Sequence, residues 1–373
     1  MPRTIVLAPD SFKGTIGAVA AAAALAEGWR SVDPVARLRA LPMADGGEGT
    51  LDAFAAAVPG ARRMPVTVTG PEGTPVAASW LLLPPTADTP AGTAVVELAS
   101  TSGIELLGTP PRLRPFDADT RGFGEAIAAA LARGVSRLVL GIGSSASTDG
   151  GVGMLTALGA RFTDAAGEPL VPGARGVGAV VHADLSGLAP LPVGGVHVLS
   201  DVTNPLLGDR GAASVFGPQK GLPTADIPAT DRALAQLARL LPADPETPGA
   251  GAAGGTGFGL LAWGARLVPG STAVADLIGL PAALEEADLV VTGEGSFDGQ
   301  SAAGKVPARI AELADRSATA VALVAGRIAP DADAARFAAS VSLTVLAGSA
   351  EAAMADPARW LREAGALLAH KPA

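Results

Sequence analysis

Residues 292–305, TGEGSFDGQSAAGK, decide the fold class and much of the functional interpretation. They lie between the apolar run 288–291, which is typical of a buried β-strand, and residues 306–311, which are typical of the start of a helix. Pro307 suits the first turn of that helix. A strand, a glycine-rich loop and a helix in this order direct backbone N–H groups and the positive end of the helix dipole at the loop. The stretch therefore predicts an anion-binding loop in an α/β fold.

Two other interpretations of this stretch are possible. Residues 299–305 satisfy the pattern G-x-x-x-x-G-K of nucleoside triphosphatases. That interpretation is rejected because Val306 stands where a magnesium-binding Ser or Thr is required, and because the pattern begins about seven residues after the predicted strand ends. The plainer alternative is a glycine-rich surface turn with scattered polar residues.

The composition limits the function classes. The chain has 373 residues, of which 49% are hydrophobic and 17% charged, and it is long enough for two well-packed domains. Its net charge is −9, and it has no stripe of lysines and arginines with interleaved aromatics, so we expect small-molecule partners and neither nucleic acid nor membrane. The absence of cysteine and the three scattered histidines exclude a disulfide framework and a zinc spacing. The first residues lack the layout of a secretory signal, so a cytoplasmic location is expected.

Two further polar loops follow predicted strands near the N-terminus. The first strand, 4–8, is followed by residues 9–15, PDSFKGT, and the second, 36–41, by residues 42–50, PMADGGEGT. In open α/β sheets ligands collect at the carboxyl ends of strands, so the acids, serine and lysine of these loops are candidate site residues. The alternative for Asp10 or Ser11 is that either one caps the following helix.

The pattern changes near Pro65, where alternating strands and turn signals begin, and the α/β style returns near Glu286. We therefore predict two α/β domains. Residues 1–65 plus 285–373 form a discontinuous domain with a parallel sheet, and residues 66–284 form an inserted domain. The site is expected in the cleft between them.

The middle of the chain contains a second glycine-rich loop. A predicted strand leads into residues 141–153, GIGSSASTDGGVG, which imitate a dinucleotide fingerprint only weakly because the loop continues instead of opening a helix at once. We interpret it as phosphate-binding backbone. Residues 254–257, GGTG, partly echo residues 150–153, GGVG, either by chance or because two helices direct their amino ends at one ligand.

The loops together hold an inventory that suits phosphoryl transfer. Three of the four lysines of the chain, Lys13, Lys220 and Lys305, lie in them. Phosphoryl transfer needs cations and N–H groups for the phosphates, carboxylates for magnesium and one carboxylate to receive a hydroxyl proton. The loop acids are Asp10, Asp45, Glu48, Asp149, Asp201, Glu294 and Asp298.

Six blocks of sequence resemble, in order and over nearly the whole chain, the bacterial type I glycerate kinase family. They are APDSFKGT (8–15), PMADGGEGT (42–50), GIGSSASTDGGVGM (141–154), SDVTNPLLG (200–208), VFGPQKG (215–221) and VVTGEGSFDGQSAAGK (290–305). The resemblance implies an ATP- and Mg²⁺-dependent kinase that phosphorylates D-glycerate, with 2-phosphoglycerate as the expected product. It also implies a flavodoxin-like domain with an inserted, rearranged Rossmann-like domain. The chain departs from the family pattern at Ser296-Phe297, where an arginine-leucine pair is common.

The loop chemistry and the resemblance together assign site residues. We predict as catalytic residues Lys13, Asp45, Asp201 and Glu294. We predict that the nucleotide is bound by Ser11, Gly46, Gly47, Ser144, Ser145, Gly150, Gly151, Lys220, Ser301 and Lys305. We predict as metal ligands Asp10, Asp201, Glu294 and Asp298.

Two alternative functions were considered. A non-catalytic sensor could bind a phosphorylated small acid through the same loops, but seven loop carboxylates would repel such a ligand unless a metal ion lay between them. A Rossmann oxidoreductase rests only on Gly141-x-Gly143 and lacks a well-placed ribose-binding acid. The sequence leaves open which hydroxyl is phosphorylated, which acid is the base, and whether the chain forms a homodimer.

Overall fold

The structure, a computed structural model, describes residues 2–299 and 306–370, which form two compact units. Unit 1 comprises Met1–Asp45, Asp52–Pro59 and Ser271–Ala373, and unit 2 comprises Gly46–Leu51 and Gly60–Gly270. The chain thus passes from unit 1 into unit 2 inside the motif ADGGEG, between Asp45 and Gly46.

The strands of the described chain are numbered from the N-terminus. They are β1 (Thr4–Pro9), β2 (Arg37–Ala40), β3 (Arg62–Thr69), β4 (Pro75–Leu83), β5 (Thr93–Glu97), β6 (Arg137–Gly141), β7 (Arg161–Thr163), β8 (His182–Asp184), β9 (Val196–Leu199), β10 (Arg266–Val268), β11 (Leu289–Phe297), β12 (Ala320–Ile328) and β13 (Ala339–Ser342).

The helices are numbered in the same way. They are α1 (Ala18–Val32), α2 (Thr50–Ala57), α3 (Ala99–Ser102), α4 (Arg121–Leu131), α5 (Val152–Ala157), α6 (Gly173–Val177), α7 (Ile227–Ala238), α8 (Ala252–Trp263), α9 (Gly270–Leu277), α10 (Leu280–Glu285), α11 (Val306–Ser317), α12 (Leu343–Ala347), α13 (Ala350–Ala355) and α14 (Pro357–His370).

Unit 1 is built on a five-stranded sheet in the order β13-β12-β11-β1-β2, and every neighbouring pair is parallel. Numbered within the unit, this order is 2-1-3-4-5, which is the flavodoxin-like arrangement. The two central strands, β1 and β11, carry continuous apolar runs that are buried, as expected for a parallel sheet covered on both faces. The carboxyl end of β1 lies beside the interior of β11, because Pro9 pairs with Gly293.

Helices α1 and α14 of unit 1 pack closely against each other because each has a glycine at the contact. A Cβ atom at Gly28 would overlap the backbone of Arg362, and one at Gly365 would overlap the backbone of Leu25. At the rim, Arg362 Nε donates to Glu27 Oε2 at 2.7 Å. The alanine-rich sequence of α1 therefore serves close helix packing in the core of this unit.

Strand β11 is longer than the sequence indicated. We predicted a strand over 288–291 and a loop from Thr292, whereas β11 continues to Phe297 and pairs with β12 as far as Ile328. The glycines explain the difference: a Cβ atom at Gly293 would overlap the carbonyl oxygen of Val324. Glycine here permits close approach of backbone to backbone and does not mark a turn. Residues Val306–Ser317 form α11, as predicted for the segment after this stretch.

Unit 2 contains a six-stranded sheet in the order β10-β9-β6-β5-β4-β3. Strands β5, β6, β9 and β10 are parallel, whereas β3 and β4 form an antiparallel hairpin at one edge. Strands β7 and β8 form a separate antiparallel pair. The main core of the unit lies against the parallel strands and α4, α5 and α8.

The predicted fold class, two α/β domains with one parallel and one rearranged sheet, is confirmed. The compact units have boundaries at 45/46, 51/52, 59/60 and 270/271. The domain limits drawn from the sequence, 1–65 plus 285–373 and 66–284, and the placement of the site in a cleft stay predictions.

Candidate active site

Unit 1 gathers predicted site residues at the carboxyl end of β1 and beside it in β11. The backbone N–H of Asp10, directly after β1, donates to the carbonyl oxygen of Gly293 at 2.8 Å. The next residue of β11 is Glu294, whose side chain is buried. Lys13 and Asp45 belong to the same group, since Lys13 Nζ lies 3.4 Å from Asp45 Oδ2. Segments far apart in sequence thus form one polar cluster, which we call the acid–lysine cluster (Asp10, Lys13, Asp45, Glu294).

The charges of the acid–lysine cluster act on one another. The pKa of Asp10 is raised to about 7, first by burial and then by the negative charge of Asp45, with a smaller contribution from Glu294. The N–H of Ser11, which donates to Asp10 Oδ1 at 2.7 Å, and the ammonium group of Lys13 act in the opposite direction. Burial is the larger cause and the neighbouring acids add to it, so a cation bound here would stabilise the ionised form of Asp10.

Lys13 is the cation of this cluster. Asp45 is the main cause of a raised pKa of Lys13, so the side chain keeps its charge. Its side chain is 79% exposed, and its ion pair with Asp45 is therefore weak. The ammonium group can consequently leave Asp45 for a phosphate or carboxylate group at little cost.

Three predicted site residues lie at or beyond the end of β11. Asp298 directly follows the strand and is half-buried. Ser301 and Lys305 lie outside the described residues, together with the rest of 300–305. Their predicted roles in nucleotide binding therefore stay predictions.

The donor set of the acid–lysine cluster fits Mg²⁺ that is shared with a nucleotide. Within residues 2–299 and 306–370, no group of three or more acids or histidines could enclose a metal ion by itself. Mg²⁺ in kinase sites needs only one or two protein carboxylates, because phosphate oxygens and waters complete its octahedron. The mutual repulsion of Asp10, Asp45 and Glu294 is the feature that such an ion would relieve.

In unit 2 the segment after Asp45 packs against the loop 141–153, which we call the glycine loop. Gly143 N–H donates to the carbonyl oxygen of Gly46 at 3.0 Å. A Cβ atom at Gly143 would lie 2.5 Å from the Cα of Gly47, and Gly46 has a φ of +97°. The glycines at 46 and 47 are therefore required by close packing of two backbones, whatever ligand they contact.

The side chain of Lys220 contacts the glycine loop from the protein interior. Its side chain is fully buried, and Nζ donates to Ser145 Oγ at 2.6 Å and to the carbonyl oxygen of Ser147. Burial lowers the pKa of Lys220 to about 7, although Asp149 acts in the opposite direction. In this structure the lysine predicted to bind nucleotide holds the shape of the loop.

Asp149 is the other anchor of the glycine loop. Its carboxylate accepts hydrogen bonds from Thr120 Oγ1 at 2.7 Å, from the backbone N–H of Thr120 at 3.0 Å, and from the N–H groups of Gly151 and Gly153 at 3.1 Å each. Ser147 Oγ donates a fifth, at 3.3 Å. A buried carboxylate with five donors has a structural role in fixing the loop to α4 and α5.

The two similar glycine stretches, 150–153 and 254–257, are in contact with each other. Gly150 N–H donates to the carbonyl oxygen of Gly254 at 3.1 Å. Residues Ala253, Gly254 and Gly255 all have left-handed φ angles, of 54°, 68° and 88°, which interrupt α8. The two similar stretches therefore pack against each other through their backbones. The N–H groups of Gly150 and Gly151 are engaged inside unit 2 in this structure.

The glycine loop does not form a dinucleotide turn. Strand β6 ends at Gly141 and α5 begins only at Val152, so no helix starts beside Gly143. Ser144 is the exposed tip of the loop and has a φ of +58°, a backbone conformation that non-glycine residues rarely adopt. Strain at an exposed loop tip is frequent at functional sites.

Asp201 follows the carboxyl end of β9 in unit 2. One of its oxygens, Oδ1, accepts the backbone N–H of Gly270 at 2.9 Å, and Gly270 is the first residue of α9. The side chain is exposed. The carboxylate is therefore held at a helix start, which is compatible with both a capping and a catalytic role.

Sequence reasoning missed three polar residues of unit 2. Glu97 ends β5, is buried, and accepts the N–H of Thr50 at 3.3 Å. Asp119 is buried, and Thr148 Oγ1 is buried without a hydrogen-bond partner among the described residues. Glu97 could have been found by the rule that selected Asp10 and Asp201, because it stands at the carboxyl end of a strand.

Within the described residues, no helix combines the length and the apolar character that crossing a membrane requires.

Comparisons with known proteins agree on one family. Residues 5–371 match the model of the glycerate kinase family. The chain is 41% identical over 334 residues to glycerate 2-kinase of Escherichia coli K12, with 88% of this chain and 86% of the relative covered. It is 40% identical over 337 residues to glycerate kinase of Bacillus subtilis 168, with the same shares covered. A crystal structure assigned to glycerate kinase 2 of Salmonella typhimurium LT2 matches with a TM-score of 0.83 and 38% identity, over 99% of this chain and 98% of that chain.

Proposed function

Because the chain belongs to the glycerate kinase family, we propose that it transfers the γ-phosphoryl group of ATP to D-glycerate and releases 2-phosphoglycerate. The protein is a kinase. The observation that supports the specific reaction is the acid–lysine cluster, which places a charged lysine beside three acids where the end of β1 meets β11. Positioning and electrostatic stabilisation are what phosphoryl transfer asks of a protein.

Lys13 is proposed to bind the anionic group of a substrate. Its pair with Asp45 is long and exposed, so a phosphate oxygen can replace the carboxylate as its partner. A fixed cation there would stabilise the charge that develops on the transferred phosphoryl group.

The carboxylates are proposed to have two functions. Asp10, Glu294, Asp298 and Asp201 are the candidates for contact with Mg²⁺, which when bound neutralises phosphate charge and orients the nucleotide. The remaining function is to accept the proton of the attacking glycerate hydroxyl.

For the base we propose Asp201, with Asp45 and Glu294 as the next candidates. A base must be held in one orientation, and the hydrogen bond from Gly270 fixes one oxygen of Asp201. Its position after β9 and its exposure support access by a small hydroxy acid.

A coupled assay of ADP release tests this function. Purified protein with ATP, Mg²⁺ and D-glycerate should release ADP at a rate that depends on the glycerate concentration. Omission of Mg²⁺, or replacement of glycerate by 3-hydroxypropanoate, which lacks the 2-hydroxyl, provides the controls. Binding of 2-phosphoglycerate without any glycerate-dependent ADP release would favour the sensor, and absence of ADP release under all conditions would contradict the proposal.

A further inference from the structure

Unit 2 contains a cavity of about 570 Å³ that none of the predicted site residues lines. Its charged lining consists of three arginines, Arg114, Arg121 and Arg175, and three acids, Glu72, Asp117 and Asp119. Pro71, Val171 and Pro172 contribute apolar surface. The volume is in the range of sites for small molecules.

Asp119 is the deeply buried charged group of this lining. Its side chain is 7% exposed, and Oδ1 accepts the backbone N–H of Arg121 at 3.1 Å. Oδ2 has no hydrogen-bond partner in the part of the chain that the structure describes. Because Asp119 lines the cavity, a donor from a ligand or from water can reach its carboxyl group.

The surroundings of Asp119 favour a positively charged donor. Burial and then Asp149 raise the pKa of Asp119 to about 7, Glu125 adds to the effect, and the N–H and guanidinium group of Arg121 only partly oppose it. Beside the larger effect of burial, Asp149 and Glu125 thus contribute negative charge around this carboxyl. An ammonium group would be attracted to it, whereas a second anion would be repelled.

The arginines offer donors for the other end of a ligand. Arg175 Nε lies 3.1 Å from Asp117 Oδ1, and Arg114 lies 3.8 Å from both Glu72 and Asp117. The side chains of Arg114 and Arg175 are 41% and 60% exposed. A guanidinium group has five N–H donors, so each arginine can keep its acid and still bind a carboxylate.

The balance of charges selects the class of ligand. Three arginines face three acids, so a simple anion or a simple cation would meet as much repulsion as attraction. A molecule with one charge of each sign matches both groups, and an apolar side chain would match Val171 and the prolines.

We propose that this cavity binds an amino acid as a zwitterion, with its ammonium group on Asp119 Oδ2 and its carboxylate on Arg114 and Arg175. This proposal does not depend on the proposed kinase function, because the site is tested by measuring ligand binding and not turnover.

Isothermal titration calorimetry on the full chain tests the site after a thermal-shift screen of the common amino acids. The first probe is leucine, with isocaproate as the analogue without the ammonium group and isoamylamine as the analogue without the carboxylate. Leucine should bind, and each analogue should bind about tenfold more weakly or worse, the scale of a lost hydrogen bond between charged groups. Equal binding of isocaproate would overturn the assignment of Asp119, and absence of binding by every amino acid would overturn the site.

Two variants locate the binding. Asp119→Asn keeps an oxygen for the Arg121 N–H and removes the charge, and Arg175→Gln removes an exposed guanidinium group. Each variant should bind the amino acid about tenfold more weakly than the wild type, or worse. Arg133→Gln, at an exposed arginine outside the lining, is the control and should leave the affinity unchanged. Unchanged affinity in both test variants would place the binding elsewhere and contradict the proposal.

Discussion

The backbone N–H of Asp10 donates a 2.8 Å hydrogen bond to the carbonyl oxygen of Gly293. This contact fixes the end of β1 beside Gly293 of β11, one residue before Glu294, and so brings together two polar segments that are distant in sequence. The acid–lysine cluster results from strand order, because the parallel pairing of β1 and β11 places the carboxyl end of β1 beside Glu294.

Replacing Lys13 by Met should lower kcat/KM for glycerate phosphorylation by about tenfold or more, because a cation that stabilises the phosphoryl group is lost. Stability should change little, since the pair with Asp45 is exposed. Steady-state kinetics and thermal unfolding measure the two effects. Arg39→Met, at an exposed cation on the edge strand of the same sheet, is the matched control. Full activity of Lys13→Met would show that Lys13 only contributes solubility.

Replacing Asp201 by Asn should leave the fold intact, because the amide oxygen can still accept the N–H of Gly270. Turnover should fall by about 100-fold, whereas the affinity for ATP with Mg²⁺ should stay near that of the wild type. Single-turnover kinetics and nucleotide titration separate these quantities. Wild-type turnover in this variant would remove Asp201 from the catalytic set and transfer the role to Asp45 or Glu294.

The stability of the protein should depend on pH through Asp119. Its pKa is about 7 in the folded chain against an ordinary value of 3.8, so the folded state retains a proton that the unfolded state releases between these values. The stability that this proton contributes is fully present below the ordinary value and is lost as the pH rises through about 7. The free energy of unfolding of Asp119→Asn relative to that of the wild type should therefore be higher at pH about 8 than at pH about 4, by on the order of a few kcal/mol.

Urea unfolding of both proteins at the two pH values measures this difference. The exposed Asp88→Asn controls for the loss of one surface carboxylate. If the difference between Asp119→Asn and wild type were the same at both pH values, the assigned protonation of Asp119 would be wrong.

Replacing Gly254 by Ala should destabilise unit 2. A Cβ atom there would overlap the carbonyl oxygen of Ser147 and lie 2.9 Å from Lys220 Nζ, at a φ of +68°. Gly134→Ala is the matched control, because Gly134 has a φ of +71° and nothing within 4 Å of the added atom. Gly254→Ala should therefore lower the free energy of unfolding by about 2 kcal/mol more than Gly134→Ala does, because the control variant has only the backbone strain. Equal free energies of unfolding would show that the contact of the two glycine stretches relaxes without cost.

The sequence was sufficient to predict β1 and β9 and the acids that follow them, because apolar runs and polar strand ends are local signals. The length of β11 was not predictable in the same way. Its glycines are explained by the backbone of β12, and a partner strand is not visible in a local pattern.

The glycine loop shows why residue roles are harder to predict than positions. Lys220 was interpreted as a loop cation, but its partner Ser145 is 75 residues away, and only the fold shows that the ammonium group is buried. Asp149 was interpreted as a loop acid, but Thr120, 29 residues away, occupies one of its oxygens. Burial and long-range hydrogen bonds decide between structural and ligand-binding roles, and neither is encoded in spacing.

The most direct measurement of the proposed reaction identifies the product. Purified protein is incubated with ATP, Mg²⁺ and D-glycerate, and enolase is added without phosphoglycerate mutase, so that phosphoenolpyruvate forms only from 2-phosphoglycerate. We predict that phosphoenolpyruvate appears at once and in proportion to the ADP released. Phosphoenolpyruvate that appears only after the mutase is added would show phosphorylation of the other hydroxyl, and the absence of glycerate-dependent ADP would contradict the assignment of this chain as a glycerate kinase.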